Sequence, residues 1–172
     1  KDSETMSAET MSVEAFYSRL ADESGLAYGQ GFQCVSDVEF NIETGLSTAL
    51  LSGGCGDCGM IDIGILDGAL QTAGPIVKAL ENETYLPLSF DSVRFFDAKK
   101  LESTDDTTFR SHLSLELLKT GLYKGNILIT DKDNKPLLEL LGLRLIPTPH
   151  SILMSNKDTD TNDLYYHNEW VE

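Results

Sequence analysis

The sequence predicts an α+β domain in which an antiparallel sheet wraps around one long buried helix. The first observation is a single long apolar segment, 62–80, whose apolar residues recur at steps of three and four and also cover its other sides. The second is a pair of alternating segments, 33–41 and 46–52, with a turn at 43–45 between them. The third is a series of alternating segments after the helix. A helix that is apolar all round belongs inside such a sheet, which is the hotdog arrangement.

Two segments lie in front of the predicted hairpin. Residues 1–12 are polar, contain the near-repeat SETMSAETMS and show no apolar period, so we predict a linker or tail. Ser12 is a candidate N-cap for a helix over 13–23, which Gly25 ends. The apolar side of this helix is formed by Phe16, Tyr17 and Leu20.

Alternating residues predict four further strands behind the central helix. Pro87 lies near the start of the first strand, where a missing N–H is tolerated, and Pro147 and Pro149 end the last one. The hotdog domain is therefore predicted over 13–150, with 151–172 as a C-terminal extension. The four strands are predicted at 85–96, 109–118, 125–130 and 136–146.

The overall charge excludes two classes of partner. The chain carries a net charge of −15 over 172 residues, with an isoelectric point near 4.4. Nucleic acids and anionic membranes both require a basic surface, so neither is expected as a partner. No apolar run approaches the roughly 20 residues of a membrane-spanning helix, and the polar N-terminus is unlike a signal peptide. Three cysteines do not indicate a disulfide framework, and we predict a cytoplasmic protein.

Asp67 is the unusual residue of the central helix. A carboxylate inside an apolar helix costs free energy unless it is hydrogen-bonded or protonated. Gln71 lies four residues later on the same face, so the two side chains can meet. An acid with a raised pKa beside an amide suits proton transfer near neutral pH. The alternative is a structural Asp that caps a turn or meets a basic residue of a strand.

The glycine-rich loop before the central helix contains Cys55-x-x-Cys58. Such a pair in front of a helix is compatible with a redox site, because a helix N-terminus lowers a thiol pKa. It is also compatible with half of a zinc site, but the second half of the ligand set is missing. Two incidental cysteines in a flexible loop are the favoured interpretation, and no metal site is predicted.

Several stretches together resemble the dehydratase domains of modular polyketide synthases, in the same order along the chain. The segment 65–71, ILDGALQ, is similar to their L-L-D-x-x-L-Q motif on the second hotdog helix. The segment 28–33, YGQGFQ, resembles Y-G-P-x-F-Q with Gln in place of Pro, and 85–89, YLPLS, resembles Y-L-P-F-S. The hairpin over 131–145 is also similar, and the end over 164–170 resembles the segment that leads into the next synthase region.

The resemblance implies a reaction on a β-hydroxyacyl chain carried by the phosphopantetheine arm of an acyl carrier protein. Water is removed to give an α,β-unsaturated thioester, while a His takes the α-proton and an Asp protonates the departing hydroxyl. By resemblance Asp67 is that acid, and Gln71 holds it or the hydroxyl. No cofactor of the chain itself is implied. The substrate-binding residues implied by the same motifs are Tyr28, Gly29, Phe32, Leu66, Leu86 and Pro87.

The family forms a double hotdog, and its catalytic His lies in an H-x-x-x-G-x-x-x-x-P motif of the first half. This sequence lacks that motif, so the resemblance predicts the C-terminal half, with the His supplied by an N-terminal half as partner. His112, His150 and His167 are interpreted as ordinary strand or surface residues. The alternatives are a non-catalytic hotdog that acts as a carrier-docking or branching-type scaffold, and a redox module using the two loop cysteines.

Docking of an acidic carrier protein on this acidic chain would require a local basic patch. The alternative is that the cations are scattered over the surface and contribute little each. A lone hotdog also leaves a sheet edge exposed, so a homodimer is a further prediction. The candidate cations are Arg94, Lys99, Lys100, Lys119, Lys124 and Arg144.

Overall fold

The structure, a computed structural model, describes residues 8–53, 62–77, 83–97, 107–118 and 121–149. The helices are α1 Val13–Ser24 and α2 Ile63–Gln71, and a short 3-10 turn covers Gln30–Phe32. The strands are β1 Glu9–Met11, β2 Val35–Asn41, β3 Leu46–Ser52, β4 Glu83–Ser89, β5 Ser92–Phe95, β6 Thr108–Leu117, β7 Tyr123–Thr130 and β8 Pro136–Pro149.

One antiparallel sheet holds all of these strands, and α2 packs against its inner face. The strand order is β1-β2-β3-β6-β7-β8-β4, with β5 also paired to β8. Ile65 and Ala69 of α2 are buried against residues of β2, β3, β6 and β7. Gly68 allows this close packing, because a Cβ there would already touch Val35 and Leu51 at 3.4 Å. The arrangement is the hotdog architecture that the sequence predicts.

The central helix is shorter than its apolar pattern predicts. Asp62 caps it by accepting hydrogen bonds from the N–H groups of Gly64 and Ile65, at 2.8 and 3.3 Å. The α-helix ends at Gln71, and tight turns follow to Val77, while 78–80 lie outside the described residues. The reason is Pro75, which lacks an N–H and disfavours helical geometry at the preceding residue. No described helix has the length and apolar composition required to cross a membrane.

The single strand predicted over 85–96 is divided into β4 and β5. Both pair with β8, and the break lies at Phe90 and Asp91. Opposite the break, Gly142 adopts a φ of +67°, and Asp91 occupies the space that a side chain at Gly142 would require. A carboxylate contact then fixes the corner, because Asp91 pairs with Arg144 at 2.8 Å.

Both ends of the sheet differ from the prediction. β8 continues through Pro147 to Pro149, where its partners in β4 are Tyr85 and Glu83. Two prolines two residues apart lose N–H groups on the same edge of a strand, so its other edge still pairs. At the opposite end β1 pairs with β2 inside the segment predicted as a linker. Three residues are too few to show a period, so the pattern could not predict this strand.

Candidate active site

A pocket with a volume of about 90 Å³ lies between α1, the C-terminal part of α2 and β4. Asp67 and Gln71 line this pocket together with apolar side chains. The wall residues come from the four elements α1, α2, β4 and β8 and from the turns beside them. These walls include Leu20, Leu26, Leu70, Val77, Tyr85, Leu86 and Leu145.

Asp67 and Gln71 contact each other directly. The Gln71 side-chain Nε2 donates a hydrogen bond to Asp67 Oδ2 at 2.7 Å. The helix brings them together, because residues four apart share one face. Gln71 is buried, with 5% of its surface exposed, whereas Asp67 is half-buried. The carboxyl group is therefore held by an amide from within the core and remains in contact with the pocket.

Three further hydrogen bonds connect Gln71 to the elements around it. Its Nε2 also donates to the carbonyl oxygen of Phe32 at 3.0 Å, and its Oε1 accepts from the Tyr17 hydroxyl at 3.1 Å. The Tyr17 oxygen in turn accepts the backbone N–H of Val35 at 2.9 Å. These contacts connect α1, the 3-10 turn, β2 and α2 through one amide side chain.

Two tyrosines beside the pair have raised pKa values. Burial raises the pKa of Tyr17 to about 12, against the opposing effect of its hydrogen bond with Val35. The pKa of Tyr28 is also raised to about 12, first by burial and then by the nearby charge of Asp67. Both hydroxyls therefore keep their protons at neutral pH and act as neutral hydrogen-bonding groups.

One ion pair lies in the lining of the pocket. Arg19 and Glu23, one turn apart on α1, line the pocket and meet at 2.9 Å between Nε and Oε2. Both side chains are partly exposed, so this pair contributes little to stability. Its two charges are matched with each other, and the other polar lining residues include Ser24, Tyr28, Asp67, Gln71 and Thr84.

The pocket includes five of the eight residues that the motifs suggested. Asp67, Gln71, Tyr28, Leu86 and Pro87 all line it. The other three residues lie outside the lining. Gly29 is exposed, Leu66 is half-buried and packs against the core, and the Phe32 side chain is exposed although its carbonyl accepts from Gln71.

Tyr17 is the polar contact that sequence reasoning missed. The sequence placed its ring on the apolar side of α1, which agrees with its half-buried position and its edge-on contact with Phe16. The hydroxyl contact with Gln71 joins residues 54 positions apart. No local spacing rule connects two helices over that distance, so the sequence carried no signal for it.

The described histidine lies away from the pocket. His112 is in β6, where buried and less buried residues alternate, and it belongs to the less buried set. Thr130 Oγ1 lies 3.4 Å from its Nε2, and partial burial lowers the pKa of His112. His150 and His167 fall outside the described residues, as do Cys55 and Cys58. Within the described ranges, no three His, Cys, Asp or Glu side chains gather as metal ligands.

Three of the six candidate docking cations are described, and all three have acidic neighbours. Arg94 pairs with Glu139 at 3.2 Å, and Arg144 pairs with Asp91. Lys124 lies 4.0 Å from the same aspartate. These contacts reduce the basic character of the surface around β5. The other three candidates, Lys99, Lys100 and Lys119, fall outside the described residues.

Comparison with known families decides the assignment. Residues 1–154 match the family described as polyketide synthase dehydratase N-terminal domain. The chain belongs to this family. The sequence-based identification as a polyketide synthase dehydratase is therefore right about the family and wrong about the half, since the match is to the N-terminal and not the C-terminal hotdog.

The same match contradicts the prediction of which half carries the catalytic Asp and which carries the catalytic His. The motifs predict that the chain is the aspartate-bearing half and that an N-terminal partner supplies the His. The N-terminal domain is instead the half that normally carries the catalytic His. The error has a structural reason: two halves that share one fold repeat the same helix and strands, so a short D-x-x-x-Q pattern on a helix does not identify the half.

Solved structures confirm the hotdog fold. The dehydratase domain from the CurJ module of curacin polyketide synthase superposes with a TM-score of 0.69 at 17% identity, covering 87% of this chain and 52% of that chain. The dehydratase domain of the polyketide PpsC from Mycobacterium tuberculosis gives 0.68 at 19% identity, covering 87% and 55%. The dehydratase domain of RzxB from Pseudomonas fluorescens gives 0.65 at 18% identity, covering 81% and 50%.

The chain spans about half the length of these solved structures. At this level of identity the likeness establishes the fold and leaves the reaction to be argued from the residues. No curated protein sequence matches the chain.

Proposed function

We propose that this chain is the N-terminal hotdog of a polyketide synthase dehydratase and takes part in removing water from a β-hydroxyacyl thioester. The observation that carries the proposal is the Asp67–Gln71 pair, which lies in the pocket with Gln71 Nε2 2.7 Å from Asp67 Oδ2. The family match supports the reaction class. We expect the acyl chain on an acyl carrier protein and the enzyme in the cytoplasm.

Asp67 and Gln71 are the proposed catalytic residues of this pocket, in addition to the His that the N-terminal half normally carries; the described histidine, His112, does not line the pocket. A carboxyl group can hydrogen-bond to the β-hydroxyl and exchange a proton with it, which are the tasks of a proton-transfer residue. Gln71 keeps the carboxyl in place from the core side. Tyr28, Leu86 and Pro87 line the same space and are proposed to contact the acyl chain. Phe32 contributes its backbone carbonyl, while Gly29 and Leu66 have no direct role in this proposal.

The size of the pocket favours contact with part of a substrate. Pockets that enclose a whole small molecule usually measure about 300–1,000 Å³. A volume of about 90 Å³ fits the hydroxyl-bearing end of an acyl chain, with the rest held elsewhere. A chain that spans about half of its solved relatives is consistent with a second hotdog half completing the binding site.

The turnover of a β-hydroxyacyl thioester by this hotdog, combined with the second half of its dehydratase, tests the proposed function. The appearance of the α,β-unsaturated thioester is followed by its ultraviolet absorbance and by mass spectrometry. We expect turnover that depends on Asp67. A folded two-hotdog protein without turnover would overturn the proposal and would favour a non-catalytic scaffold.

A partner hotdog is proposed to cover the exposed edge formed by β4 and β5. Large apolar side chains are exposed there, with Phe95 at 47% exposure and every residue of β5 exposed. The edge lies next to the pocket, since Leu86 and Pro87 of β4 line it. Such a concentration of apolar surface is typical of a protein interface. The other exposed members of this edge are Leu88, Phe90, Val93 and Phe96.

Phe95→Glu is expected to weaken binding of the separately purified second half at least roughly tenfold, because burying an unpaired charge at an interface costs more than about 1.4 kcal/mol. Isothermal titration calorimetry measures this binding. Leu117→Glu on β6 is the matched control, since Leu117 is exposed at 57% and lies on another strand. Equal binding by both variants would exclude the β4–β5 edge as the interface.

A further inference from the structure

We propose that Tyr17 is a positioning residue of the site, which fixes the orientation of the Gln71 amide and through it the carboxyl group of Asp67. The inference rests on the proposed function of the Asp67–Gln71 pair. Neither the motifs nor the family match assigns Tyr17 a role. The inference rests on the hydrogen bonds that Gln71 makes with Tyr17, Phe32 and Asp67.

The two ends of the Gln71 amide differ in the hydrogen bonds that they can make. Only the Nε2 end can donate a hydrogen bond to a carboxylate, whereas the Oε1 end would repel it. A glutamine side chain can present either end by rotating about its last torsion. In the structure Nε2 contacts Asp67 and the Phe32 carbonyl, and Oε1 contacts the Tyr17 hydroxyl. Tyr17 therefore supplies the donor that selects the productive orientation.

The backbone N–H of Val35 determines the direction of the Tyr17 hydroxyl proton. The backbone N–H of Val35 can only donate, and it donates to the Tyr17 oxygen at 2.9 Å. The hydroxyl proton is then directed to an acceptor, for which Gln71 Oε1 at 3.1 Å is closer than the Phe32 carbonyl at 3.5 Å. The fixed backbone of β2 thus determines the direction of the whole chain of hydrogen bonds.

The carboxyl group of Asp67 is held by Gln71 at one of its two oxygens. Gln71 binds its Oδ2, and within the described residues no hydrogen bond is made to its Oδ1. The carboxyl group consequently has one oxygen held from the core and one available to a molecule in the pocket. Tyr17 itself is not a lining residue of that pocket; its hydroxyl is connected to Asp67 through Gln71, while its ring contacts the lining residue Tyr28 edge-on. The raised pKa of Tyr17 keeps its hydroxyl protonated throughout the neutral range.

Tyr17→Phe tests the inference, because it keeps the aromatic ring and removes only the hydroxyl. In the two-hotdog protein we expect kcat to fall about tenfold, the size of one lost hydrogen bond, with a smaller change in KM. The side-chain amide signals of Gln71 in nuclear magnetic resonance spectra are expected to shift, together with the carboxyl carbon signal of Asp67. A packing role alone would leave both of these signals unchanged.

A double-mutant cycle separates positioning from structural support. In a Gln71→Leu background, Tyr17→Phe should cause no further loss of kcat, because the residue through which it acts is absent. Multiplied losses in the double variant would overturn the inference. Thr130→Val is the matched control for the spectra, since it removes a buried hydroxyl of β7 that lies 3.4 Å from His112 Nε2 and does not line the pocket.

Two outcomes distinguish failure of this inference from failure of the proposed function. The spectra of Gln71 and Asp67 are measured without turnover, so they test Tyr17 even if the protein is inactive. Turnover that requires Asp67 but is insensitive to Tyr17→Phe would overturn the positioning role alone. In the unmutated protein, the Gln71 amide protons should also exchange with solvent far more slowly than those of exposed Gln30, and equal exchange would overturn the inference.

Discussion

Asp67→Asn is expected to lower turnover of a β-hydroxyacyl thioester by about 10²- to 10⁴-fold, the usual contribution of a proton-transferring side chain. Asparagine has nearly the same shape as aspartate but cannot exchange a proton with the hydroxyl. The Asn oxygen can still accept from Gln71 Nε2, so the local hydrogen bond at 2.7 Å has a replacement. Steady-state kinetics with the two-hotdog protein measure the loss, and circular dichroism during heating checks that the fold remains.

Asp22→Asn provides the control for the change in charge. Asp22 is an exposed residue of α1, and its replacement alters the net charge by the same amount without touching the pocket. We expect this variant to keep the turnover of the unmutated protein. If Asp67→Asn were as active as Asp22→Asn, Asp67 would have no catalytic role, and the carboxyl–amide pair would be a structural contact of α2.

The Asp67–Gln71 pair was accessible from the sequence because its geometry is local. Once 62–71 is helical, residues four apart must face the same way, and a polar pair in an apolar helix stands out against its background. The strand pairing was accessible for a similar reason. Residues such as Phe109, Leu113 and Ile127 alternate with less buried ones, and this period of two directs them to the inner face of the sheet.

The contacts that complete the site depend on tertiary packing, which the sequence does not display. Tyr17 and Gln71 meet only because the fold brings the Tyr17 side chain of α1 to the last residue of α2. The turn after α2 is a different case, because Pro75 is a local signal in the sequence that an analysis of the apolar period does not include. The division of β4 from β5 depends on Asp91, whose side chain fills the space above Gly142 of the neighbouring strand β8.

The identity of the half depended on a different kind of information. Both halves of a double hotdog use the same order of elements, so fold-level reasoning predicts the hotdog and leaves the half undetermined. The pattern around Asp67 and the missing H-x-x-x-G-x-x-x-x-P motif together suggested the wrong half, and the match over 1–154 corrected it. A short motif reflects the local chemistry of one helix, whereas the whole sequence is required to identify which half of the double hotdog the chain forms.

Gly45→Ala is expected to cause a large loss of stability, about 3 kcal/mol or more in the free energy of unfolding, from backbone strain and a clash together. Gly45 adopts a φ of +68°, which alone costs an L-residue roughly 1–2 kcal/mol. A Cβ at this position would overlap the carbonyl oxygen of Leu115. The clash would also stretch the hydrogen bond from the Leu115 N–H to the Gly45 carbonyl, now 2.7 Å.

Gly25→Ala isolates the backbone term, because Gly25 has almost the same φ, +67°, and nothing lies within 4 Å of its Cβ position. We expect this control to lose only about 1 kcal/mol, the cost of the left-handed conformation at a helix end. Urea unfolding at 25 °C measures both variants on the same scale. The difference between them reports how tightly the β2–β3 turn packs on β6. That turn sets the register between Leu46 and Ser114, so equal losses in the two variants would mean that β3 and β6 can separate without cost at this end.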